Sequence, residues 1–100
     1  MKPQDSDIQA MILECLAALR QDLGLPMLDQ PSAATPLLGA GSDLDSMAVV
    51  HLIVDLESRL QEAYGRNWIL ADERALSRSR SPFRSVGDLS SFIIESTPEA

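Results

Sequence analysis

Apolar residues recur along this chain with the period of a helix rather than of a strand. From Asp7 to Leu23 they fall at Ile8, Met11, Ile12, Cys15, Leu16, Leu19 and Leu23. That spacing predicts an amphipathic helix with one buried face. Ser6 or Asp5 stands where a cap belongs, and Gly24 followed by Pro26 stops the pattern. A second run, LDSMAVVHLIVDLESRL from Leu44 to Leu60, predicts a helix from about Asp45 to Tyr64, with Gly65 as its end. A turn of about 100° per residue sets Val49, Leu52, Ile53, Leu56 and Leu60 along one stripe, enough for a core face. Met47, Val50 and Val54 fall together well off that stripe. Either a neighbouring helix covers them or they stay open as a docking strip, where the flexible Met side chain adapts to more than one partner.

Between these two helices, residues 24–43 are rich in breakers: Gly24, Pro26, Pro31, Pro36, Gly39 and Gly41. A connection this long in a small domain is either functional or packed by its own side chains. Leu25, Met27, Leu28, Leu37 and Leu38 are available to pin it. Beyond residue 66 the pattern is less regular. A short helix is expected from Asp72 (DERALS), broken by SRSRSP. Ser85-Val86-Gly87-Asp88 opens a last helix with a capping-box pattern, buried through Val86, Leu89, Phe92 and Ile93, and frayed by Pro98. The expected fold is all-α: three main helices and a short third one, a four-helix bundle with a long first loop. The 100 residues suit a single domain. Residues 1–6 and 96–100 are expected to be its loose ends.

Composition sharpens this picture in three ways. Only 4% of residues are aromatic, so aliphatic side chains carry the core. The formal charge of −7 is concentrated in residues 1–62, which hold ten acids against three bases, Lys2, Arg20 and Arg59. Such a front half argues against nucleic-acid binding and suits docking onto basic surfaces. Cys15 is the sole cysteine, which excludes an internal disulfide and a cysteine-based metal cluster. It lies on the apolar face of the first helix and is expected in the core. The polar, acidic N-terminus is unlike a secretory signal, and no apolar run approaches a membrane span. The cytoplasm is the expected setting.

Candidate chemistry converges on the head of the second helix. Asp45 is a strong N-cap side chain. Ser46 then falls where free amides and the helix dipole favour an anion. Serine is also common at helix starts for capping alone. His51, the only histidine, lies five residues on and roughly 140° around the helix, which disfavours a nucleophile–base pair. No Gly-x-Ser-x-Gly elbow occurs. Trp68 is either a core plug or a cover for bound cargo. Arg78-Ser79-Arg80-Ser81 reads as a solvated loop.

Taken together, Leu44-Asp45-Ser46-Met47 and the rhythm of Val49, Val50, Leu52, Ile53, Leu56 and Glu57 resemble the acyl carrier and peptidyl carrier protein family. Leu37-Leu38-Gly39 resembles that family's loop ending, and Ser85-Val86-Gly87-Asp88-Leu89 the start of its fourth helix. The likeness spans residues 7–95. It implies a four-helix carrier with 4′-phosphopantetheine on Ser46, attached by a phosphopantetheinyl transferase that uses Mg²⁺ and coenzyme A. The arm's thiol would hold an acyl cargo as a thioester, and the chain itself would not be an enzyme. Asp45 would cap the helix and help the transferase place its metal. Met47, Val50, Val54 and Asp55 would face partners: the transferase, a loading enzyme, and a downstream synthase or transferase. A pocket between the second and third helices would shelter cargo, and the chain would be a monomer. Ala48, His51 and Ser58 stand where fatty-acid carriers keep acids, which points to a specialised lipid or polyketide pathway. An aminoacyl or peptidyl carrier, including a D-alanyl carrier, is the close alternative. A helical interaction module without a prosthetic group is the alternative of another class.

Overall fold

The computed structural model describes residues 3–26, 30–37, 44–70 and 83–97, and for Ser46 its backbone. Among these residues the fold is all-α, with three helices and no strand: α1 (Asp5–Leu23), α2 (Ser46–Tyr64) and α3 (Val86–Glu95). The short helix expected from Asp72, the Arg78–Ser81 run, Met27, Leu28, Leu38 and Pro98 lie outside the described residues. So does any pocket between α2 and that short helix.

The helix ends obey local chemistry with one exception. Gly24 and Gly65 close α1 and α2 with φ of 71° and 68°, a left-handed turn that glycine adopts without steric cost. Asp45 and Ser85 cap α2 and α3 by accepting the amides of Ala48 and Asp88. The exception is α1. It starts at Asp5 with Gln4 as its cap residue and no side-chain cap bond, so Ser6 and Asp5 are helical rather than capping. Asp5 and Asp7 fall in the first turn instead, where carboxylates complement the positive end of the dipole. Asp5 is held there by a distant partner, because the buried Ser90 hydroxyl of α3 donates to its carboxylate.

α1 packs against both other helices. Its buried side is Ile8, Ile12, Cys15 and Leu16, with Met11 and Leu19 partly covered. The expected α2 stripe of Val49, Leu52, Ile53, Leu56 and Leu60 is buried throughout, as are Val86, Leu89, Phe92 and Ile93 of α3. Truncating one of the large aliphatic side chains to alanine in such a core costs about 2–5 kcal/mol. Leu23 departs from the expected face: it is half exposed, because α1 has by then reached its last residue.

Two connections are tied down by backbone and ring contacts. Trp68 is a core plug, with its indole N–H donating to the Ile93 carbonyl at 2.9 Å and its ring edge-on to Tyr64. Residues 33–37 run against the start of α3. The Val86 amide donates to Thr35 O, the Gly87 amide to Ala33 O, and the Leu37 amide to Arg84 O, at 2.8–3.1 Å. Pro36 and Ser85 form an isolated antiparallel bridge inside this seam. Leu37 and Leu44 are both buried, so the chain enters and leaves residues 38–43 from anchored points.

Candidate functional site

α2 begins where a buried leucine hands the chain to a capping aspartate. Leu44 is fixed in the core. Asp45 is extended, with φ −91° and ψ 178°, and its Oδ1 accepts the Ala48 amide at 2.8 Å. Its carbonyl accepts the Val49 amide at 3.1 Å. Ser46 is therefore the first helical residue. The first amides of a helix have no acceptor inside it. Among the described residues, those of Ser46 and Met47 meet none elsewhere. No acidic side chain falls in the first turn of α2, and among the described residues the Asp45 cap is the acid placed at the positive end of its dipole. That tip is suited to a covalently attached or bound anion.

From Ser46 an apolar strip leads down the outer face of the helix. Met47, Val50 and Val54 are 66%, 51% and 59% exposed, so no described element covers them. Asp55, placed with them in the sequence reading, is half buried on the α1 side. It binds Arg59, which also reaches Glu14 of α1 at 3.7 Å. Partly exposed pairs of this kind contribute about 0–1 kcal/mol.

His51 is exposed and stands between two surface depressions. One, of about 300 Å³, is formed by Leu23 and Leu25 against Asp45, Met47, Ala48 and His51. The other, of about 550 Å³, continues between α1 and α2 past Asp22, Asp55, Ser58 and Arg59. Cys15 lies at its floor, buried as expected. Burial first, then a hydrogen bond and the charge of Asp55, push its thiol up to about 12. A thiol so far above neutral pH supplies almost no thiolate and is a poor nucleophile. Among the described residues, no group of three or more His, Cys, Asp and Glu is placed to hold a metal ion. Nor is any helix long and apolar enough to cross a membrane.

One participant was missed by the sequence reading. Arg20 is only 4% exposed. Its Nε donates to the Pro26 carbonyl at 2.7 Å, and the Leu25 amide returns to Arg20 O at 2.8 Å. This holds the chain leaving α1 against the helix end, where a cation is favoured by the exposed carbonyls. The signal was present: Ile8, Ile12, Leu16 and Arg20 form one i+4 row. The sequence analysis counts Arg20 only as one of the three bases of the acidic front half. Leu25, placed by this anchor, becomes a wall of the depression beside Met47.

The chain matches no protein-family model, no curated protein and no solved structure.

Proposed function

We propose that this chain is a carrier protein that holds an acyl or aminoacyl cargo as a thioester on a 4′-phosphopantetheine arm attached to Ser46. The observation that carries the reading is the N-terminus of α2. A serine stands first in the helix, its own amide and the next have no acceptor among the described residues, and no acid lies in the first turn. The fit to a phosphodiester is electrostatic. The Asp45 carboxylate is occupied with the Ala48 amide and exposed to water, which screens its repulsion. The next acid along the helix, Asp55, is about 14 Å away along the axis, beyond the roughly 8 Å screening length of physiological salt.

A phosphopantetheinyl transferase would join the Ser46 hydroxyl to the phosphate of coenzyme A, with the nucleotide part leaving. Asp45 holds the backbone of the attachment turn by accepting the Ala48 amide, and its carboxylate would help the transferase place its Mg²⁺. The arm supplies the thiol, and this chain's residues supply its address. Met47, Val50 and Val54 give partners an apolar contact beside the attachment point, within an acidic front half that complements basic partner surfaces. Partners of three kinds follow: the transferase, a loading enzyme and a downstream synthase or transferase. Neutral Ala48 and Ser58 and the exposed His51 favour dedication to one specialised pathway over general fatty-acid synthesis. The reading also carries a four-helix bundle, completed by a short helix from Asp72, and a monomer working in the cytoplasm without catalysis of its own.

Incubation with coenzyme A, Mg²⁺ and a broad-specificity transferase, followed by intact-mass measurement, tests this. The mass should rise by one phosphopantetheinyl group, and Ser46→Ala should show no rise. An unchanged mass for both proteins would replace the proposal with a helical interaction module.

A further inference from the structure

The two depressions share His51 in their lining, and their chemistry differs on its two sides. α1 and α2 run antiparallel, since Glu14 meets Arg59 at one end while Leu23 and Asp45 share a wall at the other. The smaller depression starts at the attachment point: Asp45 and Met47, the two chain neighbours of Ser46, both line it. It is mainly apolar, with Leu23, Leu25, Met47 and Ala48. Past His51 the larger one is more polar, and its carboxylates Asp22 and Asp55 outnumber its single cation, Arg59. Arg59 is itself turned to Asp55 and to Glu14 beyond. Asp55 lies about 14 Å along the axis from Ser46, within reach of an extended arm whose backbone bonds are each about 1.3–1.5 Å long.

We infer that the α1–α2 groove receives the loaded arm and selects cargo bearing a protonated amine, which pairs with Asp55 and Asp22. This rests on the carrier reading and narrows its cargo to the aminoacyl class. An alkyl chain placed in the same groove would strip water from two carboxylates and return nothing to them. An ammonium group returns charge-assisted hydrogen bonds. Cys15, at the groove floor, does not compete for the thioester while its thiol is buried and protonated.

The test loads Ser46 with arms ending in hydrolysis-resistant amides: β-alanyl, or butanoyl as its uncharged isostere. Backbone amide shifts are then compared by ¹H–¹⁵N spectroscopy. The β-alanyl arm should move the amides of Asp22, His51, Asp55 and Ser58. The butanoyl arm should leave them at their positions in the unloaded holo protein. Asp22→Asn combined with Asp55→Asn should erase the difference, and so should high salt acting on the unaltered chain, which requires no variant to fold. Identical spectra for the two arms would overturn this inference and leave the carrier reading standing. A chain that never gains the arm's mass would overturn both.

Discussion

The first turns of α2 and α3 are alike up to the cap and diverge beyond it. In each, an extended residue accepts the third helical amide, Asp45 from Ala48 and Ser85 from Asp88. In α3 the first two amides, of Val86 and Gly87, are taken by Thr35 and Ala33 of the loop seam. In α2 the equivalent amides belong to Ser46 and Met47, and no described residue takes them. The second helical position shows the contrast in side chains. Gly87 is backed so closely that an added Cβ would sit 3.1 Å from Ala33 O, whereas Met47 is two-thirds exposed. One helix start is consumed in holding the fold. The other is capped by Asp45, and no described residue takes its first two amides.

The largest stability effect expected from this contrast comes from exchanging the second-position residues. Gly87→Met forces bulk against a carbonyl pinned by its own hydrogen bond, at a cost of about 1–3 kcal/mol. Met47→Gly removes no buried contact and should cost at most about 1 kcal/mol through helix propensity. Urea unfolding of both proteins measures the difference; equal midpoints would show that the seam yields and that the two tips are not distinct. Next come the caps. Ser85→Ala and Asp45→Ala should each lose about 1 kcal/mol, but only Asp45→Ala should slow phosphopantetheinyl transfer. Parallel losses of transfer rate would reduce Asp45 to a cap.

A smaller stability effect is expected from Met47→Glu. The side chain is exposed, and an acid in the first turn suits the dipole, so stability should change by less than about 0.5 kcal/mol. Transfer and later handling by partners should fall nonetheless. A proportional loss of helical content would remove Met47 from the docking strip. Least visible at neutral pH is Cys15. Its thiol is raised from 9.0 to about 12 in the fold, so above pH 9 the unfolded chain releases a proton that the folded chain keeps. Stability is therefore undiminished below pH 9 and declines as pH climbs toward 12, by up to about 1.4 kcal/mol per pH unit. Cys15→Ala should flatten that decline in pH-dependent unfolding.

How much could be read in advance follows the range of the interaction. Asp45, Ser85, Gly24 and Gly65 act within a few residues of themselves, and each ends a helix where the sequence placed it. The α2 stripe was readable because periodicity alone decides which side chains share a face. The start of α1 was misplaced because Asp5 is held by Ser90, 85 residues away. The Met47–Val54 strip was left open between two outcomes, since its periodicity fits a covered face and an exposed one equally well.

The amino-acid sequence by itself determined the three described helices, the caps of α2 and α3, the aliphatic core and the serine at the head of α2, because propensity, capping and 3.6-residue periodicity are local. Only the tertiary structure decided that Arg20 turns inward to Pro26, that residues 33–37 fill the start of α3, and that Met47, Val50 and Val54 stay exposed. Those outcomes depend on which distant groups arrive to satisfy a carbonyl, an amide or an apolar face, and chain order does not encode that arrival locally.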